Sequence, residues 1–421
     1  MKVLIKSAII IDPKSDYNNQ KQDILVDKGV IVKISGRISN PGGFPEVKFP
    51  NLHISQGWFD SSVCFGEPGF EERETIENGL KTAGLSGFTS VVINPNTNPV
   101  ANTGSDIAFI LSKTAKNPVT GLPAGALSMD SEGKSLAELF DMHSAGAVSF
   151  YDYQKDIDDA NFLKIALQYS RSFGGIICSF PIDKTVARLG VMHEGAVSTA
   201  LGLAGIPTLA EEIRIKRDLS ILEYTGGSLH IPTISSGKSV ELIREAKNRK
   251  LDVSCSVAIH NIVLTDEALK SFNTNSKVSP PLRTEDDRKA LVAGLKDGTI
   301  DMVTSDHNPL DIELKKVEFD HASFGTVGLE SAFGALQTVL PYKTAIRLLT
   351  RGRARFHNPG PSITVGDPLD VTLFDPDFSY GFTRADILSK SKNSIFLNSK
   401  LKGRVYGVMS NNKMLLKHNG L

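Results

Sequence analysis

Residues 278–306 read VSPPLRTEDDRKALVAGLKDGTIDMVTSD, and two structural units follow from them. Residues 285–296 carry apolar side chains at i, i+3, i+4 spacing, the stripe of an amphipathic helix. The short apolar run Met302–Thr304 then reads as a strand, leaving Asp306 just past its end. Outward from this stretch the same alternation recurs. Strand-like runs at residues 89–93, 147–150, 175–179, 228–231 and 252–257 are each followed by a helical segment, of which 239–250 (SVELIREAKNRK) is the clearest. Strand–helix repetition over about 300 residues predicts a parallel α/β fold, and that length suits a (β/α)8 barrel. In such barrels the reactive side chains stand at the C-terminal ends of strands, so the residues just after these runs carry the chemical interest.

The two ends of the chain read differently. Residues 2–11 and 22–34 are rich in Val and Ile and are broken by Asp-Pro and Lys-Gly turns. Residues 362–374 contain Gly366-Asp367-Pro368 before a β-rich run, and residues 403–416 turn at Ser410-Asn411-Asn412. Neither end has helical periodicity, and the two are expected to pair into one small β domain. No internal repeat is visible.

A chain of 421 residues has room for one large domain and a smaller one. At 40% hydrophobic and 22% charged it is ordinary for a globular protein and wrong for a disordered one. Lys+Arg 47 against Asp+Glu 47 gives no electrostatic footprint for nucleic acid or an anionic membrane. No apolar run is long enough for a membrane span, and the N-terminal MKVLIKSAIIIDPKSD meets Asp and Pro too early for a secretory signal. Three scattered cysteines, Cys64, Cys178 and Cys255, argue against a disulfide framework. A reduced, cytoplasmic setting is expected.

Residues 56–69 (QGWFDSSVCFGEPG) resemble the PGFIDMHVHLREPG signature of type I dihydroorotases, members of the amidohydrolase superfamily. The resemblance continues through residues 87–99 (GFTSVVINPNTNP), similar to GFTTVVAMPNTxP. Residues 191–212 (VMHEGAVSTALGLAGIPTLAEE) look like MHEGxVSxRLGLPGxPxxAEE, and 278–306 resemble NPPLRxxxDRxALxxGLxDGTIDxIATD. Residues 324–334 match FGxxGLExAFG, and 363–376 resemble the return to the β domain. Essentially the whole chain is covered. The resemblance implies a (β/α)8 TIM barrel at residues 56–357, with a composite β-sandwich domain from residues 1–55 and 358–421.

It also implies hydrolysis, or reverse closure, of the cyclic amide of dihydroorotate with zinc, which acidifies a bound water and polarises the carbonyl. The residues at the family's ligand positions depart from its pattern. Ser62 and Cys64 replace the histidines of HxH; a hydroxyl is a poor zinc ligand, and one thiolate alone does not make a site. Phe180 and Thr233 stand where two further histidines are expected. Asp152 aligns with a ligand aspartate, and Asp306 retains the place of the general acid–base aspartate. On the substrate side, Gly66 replaces the arginine that grips the substrate carboxylate, so no bidentate ion pair forms there. Asn96 is kept, Ser279 replaces an asparagine, and Leu310 replaces the second histidine of DHAPH, where His307 is the first.

Each survivor has a plain reading beside the chemical one. Asp306 and Asp152 are either a residual acid–base pair or acceptors for loop amides. Cys64 is either a nucleophile or a buried structural thiol. His230, His260 and His307 either form an improvised cluster or satisfy separate hydrogen bonds. Asn96 either contacts substrate, with His307 beside it, or caps a turn. The reading preferred here is loss of catalysis with retention of fold: a pseudo-enzyme of pyrimidine biosynthesis without cofactor. Through the resemblance it is a structural partner of aspartate carbamoyltransferase, and a homo-oligomer. One alternative is an active dihydroorotase with zinc on a rearranged site, for which Asp152, Cys64, His260 and Asp306 have to converge. Another is a metal-free binder or hydrolase of a different cyclic amide.

Overall fold

The computed structural model describes residues 1–417, so the last four residues of the expected β domain lie outside the described residues. Eight parallel strands form the central sheet: β1 Trp58–Val63, β2 Phe88–Ile93, β3 Thr120–Gly125, β4 Ser149–Tyr151, β5 Ile176–Cys178, β6 Ser228–Ile231, β7 Val253–Ala258 and β8 Met302–Thr304. Each pairs in parallel with the next. β1, β2 and β7 are buried at every position, as strands covered on both faces must be. The sheet closes where Val63 bridges His307 and the Cys64 N–H donates to the His307 carbonyl at 2.8 Å. Just inside this seam, Asp60 accepts the Ser305 N–H at 2.9 Å and the Thr304 hydroxyl.

Helices follow most strands as the periodicity predicts. The helix Glu285–Asp297 starts on Thr284, whose hydroxyl accepts the Asp287 N–H, and ends at Gly298 in the left-handed region. It buries Leu291, Gly294 and Leu295, one face at helical spacing. The segment expected at 239–250 runs instead from Gly237 to Asn248, because the Ser236 hydroxyl caps the earlier turn by accepting the Ser239 N–H. Strand β3 (TGLPAG) has no strand-like composition, since Gly and Pro weaken a ladder. Its glycines are there for packing. A Cβ on Gly121 would lie 2.4 Å from the Thr114 side chain, and one on Gly125 2.5 Å from the Met142 sulfur. A buried ion pair ties the loop after β4 to the helix Thr208–Thr225: Arg214 donates to Asp156 and to the Ile157 carbonyl.

Both ends of the chain meet in one mixed sheet. Val3–Ile11 pairs antiparallel with Lys21–Asp27, which pairs with Val30–Ser35. On its other side Val3–Ile11 runs parallel to His53–Gln56, which pairs with Val371–Gly381 and through it with Lys400–Ser410 and Lys413–Leu416. Val3, Ile5, Ile24, Ile54, Val371 and Met409 belong to a core separate from the barrel's. Among the described residues no helix is long and apolar enough to cross a membrane.

Candidate functional site

The C-terminal ends of β1, β2, β4 and β8 converge on Asp306. Its backbone sits in the left-handed region at φ 47, a conformation that Asp and Asn tolerate better than other side-chain residues. The turn is held by the Asp306 N–H donating to Thr304 Oγ1 at 3.1 Å. At the end of β1 the Ser62 hydroxyl donates to Asp306 Oδ1 at 3.2 Å. Asn94, the residue after β2, donates to Ser62 Oγ at 3.0 Å and to Cys64 Sγ at 3.5 Å. The loop after β4 adds Tyr153, whose hydroxyl lies near Asp306 and Cys64 without a well-formed hydrogen bond. Gln154 then bridges, its Nε2 donating to the Ser279 carbonyl at 2.9 Å and reaching Asp306 Oδ2 at 3.4 Å.

Burial sets the electrostatics. It pushes Asp306 up to about 7; the Ser62 hydrogen bond opposes this, and the nearby Asp60 charge adds to it. Burial likewise pushes the Cys64 thiol up to about 12, so at neutral pH it is protonated and a poor nucleophile. The mouth is therefore a buried, hydrogen-bonded cluster around the Asp306 carboxyl group, with the Asp60 carboxylate behind it.

The other sequence candidates are spread apart by their hydrogen bonds. Asp152 is turned to its own loop, accepting the Leu127 and Ser128 N–H groups at 2.9 and 3.0 Å and the Ser128 hydroxyl. His230 bonds Ser254 Oγ at 2.9 Å and is pushed by burial down to about 3. His260 is buried with no partner on Nε2 and is also held near 3 by burial. His307 is committed to the fold: its Nδ1 accepts from the Gly328 and Leu329 amides at 3.2 and 3.4 Å, and burial lowers it to about 4. Asn96 keeps a buried Oδ1 without a hydrogen-bond partner. Among the described residues no three His, Cys, Asp or Glu side chains stand close enough together to hold a metal ion. Asp152, Cys64, His260 and Asp306 thus do not converge.

The departing positions are built into the fold. Phe180 is buried with Tyr151, Cys178 and Ile176 in the barrel interior. Thr233 is buried at φ 51, its N–H donating to Ser256 Oγ at 3.1 Å. At Gly66 a Cβ would sit 2.1 Å from the Phe70 carbonyl oxygen, so the loop leaves no room for any larger residue. Leu310 is buried and donates its N–H to Asn393 Oδ1 at 3.2 Å. Asn94, Tyr153 and Gln154 are site residues that the sequence reading passed over. Asn94 was findable as the first residue after a strand, whereas nothing in the sequence points the Tyr153 and Gln154 side chains inward.

Barrel, terminal β domain and strand-end site together define an amidohydrolase-type (β/α)8 protein. Solved structures share the fold: an L-hydantoinase (dihydropyrimidinase) from Arthrobacter aurescens superposes with TM-score 0.85 over 99% of this chain and 96% of its own, at 20% identity. A D-hydantoinase from Thermus sp. gives 0.82 over 99% and 95%, at 21% identity. Residues 53–239 match the Dihydro-orotase-like family. A dihydroorotase of Pelotomaculum thermopropionicum is 39% identical over 99% of both chains. One of Syntrophus aciditrophicus is 37% identical over 96% of this chain and 97% of its own. The chain belongs to the dihydroorotase family.

Proposed function

We propose that this chain is a non-catalytic dihydroorotase homologue of pyrimidine biosynthesis that acts as a structural partner of aspartate carbamoyltransferase. The donor set at the mouth carries the reading. Zinc takes about four imidazole, carboxylate or thiolate donors, with one position left for water in a catalytic site. The corresponding strand ends here present a serine hydroxyl, a thiol held protonated, a phenyl ring and a threonine. These residues do not fit the ion. Gly66 also leaves the substrate carboxylate without its guanidinium, and the Phe70 carbonyl occupies the space one would need. A barrel kept whole around such a site supports a role carried by shape and surface rather than turnover.

The test is direct. Protein purified without chelator is analysed for metal, assayed for carbamoyl-aspartate/dihydroorotate interconversion with added zinc, and used as bait in lysate from its own cell. The expected result is far less than one metal per chain, no turnover, and co-purifying aspartate carbamoyltransferase. Stoichiometric zinc with turnover overturns the non-catalytic reading, and a bait that recovers no carbamoyltransferase overturns the partnership.

A second reading, an active dihydroorotase with a rearranged site, draws on the relatives that bear that name and on Asp306. A buried carboxyl group held near 7 is well matched to general acid–base work. Any turnover detected should then vanish in Asp306→Ala, and turnover that survives the substitution counts against it.

A further inference from the structure

On the same face of the barrel a cavity of about 910 Å3 opens between residues 310–318, which follow β8, and residues 384–397. Its volume lies within the range of small-molecule sites, about 300–1,000 Å3. Five basic side chains line it: Lys315, Lys316, Arg384, Lys390 and Lys392. Among the described residues none of the five is ion-paired with a carboxylate, in a chain whose charges balance overall. The buried Lys315 amine donates to the carbonyls of Thr274, Lys277 and Ser323 at 2.9, 3.2 and 2.7 Å, and burial, with the Lys277 charge beside it, pushes it down to about 7, so its share of the positive field is partial. Lys390 points its ammonium at the Glu71 carbonyl, and Lys392 at those of Ile387 and Ser389. The exposed Lys316 and Arg384 side chains make no hydrogen bond at all within the described residues. Of the three carboxylates on the wall, Glu72 and Asp311 share the single Arg73 guanidinium, at 3.6 and 3.5 Å, so that one of their charges and that of Glu318 oppose the basic side chains, which remain in excess.

Like charges gathered round a concave space repel one another unless an anion enters it. Lys390 and Lys392 are already fixed by backbone carbonyls, so their part of the positive field is preorganised, while Lys316 and Arg384 are free to close on a ligand. Leu310, Ile312, Val317 and Leu397 supply an apolar part of the same wall. We propose that this cavity binds a small polyvalent anion of the phosphate-ester or polycarboxylate class, its charged groups held by Lys316 and Arg384 and its body against the apolar wall. The site is separate from the Asp306 cluster, and the proposal does not depend on whether the barrel is catalytic.

Pyrophosphate and citrate serve as probes of the two anion sources, titrated calorimetrically into the intact protein at about 0.01 M salt, where the Debye length is about 30 Å. At least one probe should bind in a saturable, single-site manner and weaken as salt is raised to about 0.15 M. Lys316→Ala and Arg384→Ala remove exposed side chains without internal bonds, so the fold should survive. Each should weaken binding about fivefold or more, as loss of a charge-assisted hydrogen bond does. Lys164→Ala, on a distant helix, should leave binding unchanged. If neither probe binds, or if Lys164→Ala weakens binding as much as the cavity variants do, the proposal is wrong. Preference between the two probes assigns the source.

Discussion

Replacing Asp306 with Asn should stabilise the protein, and the gain should grow with pH. In the folded chain burial raises this carboxyl group from its usual 3.8 to about 7. The folded state therefore binds the proton more tightly than the unfolded one, and between those two values stability falls as pH rises. The contribution of the protonated group is fully present below the unfolded value, near 3.8, and is lost once pH has passed the folded value, near 7. A separation of about 3 pH units at 1.36 kcal/mol each is about 4 kcal/mol. Asparagine is neutral throughout, still accepts from Ser62, and tolerates the left-handed backbone. It gives up the long 3.4 Å contact with Gln154 and weakens the approach of the Tyr153 hydroxyl. Urea unfolding of both proteins from pH 5 to 8 should show a gain of about 2 kcal/mol at pH 5 rising to about 4 at pH 8. A pH-independent difference would refute the buried neutral carboxyl, as would a variant less stable than the parent at pH 8.

Other perturbations probe the rest of the site and fold. Gly66→Arg, which writes the family residue back, should cost about 1–3 kcal/mol by overpacking against Phe70, and should confer no dihydroorotate binding by calorimetry. Cys64, Cys178 and Cys255 are buried, and burial pushes each up to about 12; a thiol-reactive disulfide reagent at pH 8 should react only after denaturant is added. Asp156→Ala removes one of the two buried carboxylates facing the Arg214 guanidinium and leaves Asp218, and the midpoint of urea unfolding should drop by the equivalent of about 2–3 kcal/mol.

The alternation of strand and helix was readable because it rests on local patterning. The β6 and β8 runs were visible from composition at their observed bounds, and Lys2–Gly29 announced its turns through Asp-Pro and Lys-Gly. Strand β3 was not readable, because its glycines answer to Thr114 and Met142 on neighbouring helices, contacts that no local window contains. The site divides in the same way. Ser62, Cys64, Phe180, Thr233 and Asp306 were identified through position in the motifs of the resemblance, and the strand before Asp306 agreed with that place. For Asp152 and His307 the plain readings, an acceptor of loop amides and a satisfied hydrogen-bonding histidine, are the ones seen, but the partners were not legible: the first ties down the loop at Leu127 and the second receives the amides of residues 328 and 329. Both depend on side-chain direction at a strand end, which spacing along the chain does not fix.

The sheet built from both termini also governs the order in which this molecule takes shape on the ribosome. His53–Gln56 pairs with Val371–Gly381, and the barrel seam joins Asp60 to Thr304, 244 positions later. At about 5–20 residues per second, the strand at His53 emerges roughly 15–60 s before its antiparallel neighbour. For that interval the outer edge of His53–Gln56, which pairs with Val3–Ile11 on its other side, is translated without its second neighbour and able to recruit the edges of other nascent chains. Ribosome-bound chains halted before residue 371 should keep residues 1–56 open to protease, with protection arriving only once Val371–Gly381 has cleared the exit tunnel. A strand synthesised late, Val371–Gly381, thus shelters the edge of one synthesised early, His53–Gln56.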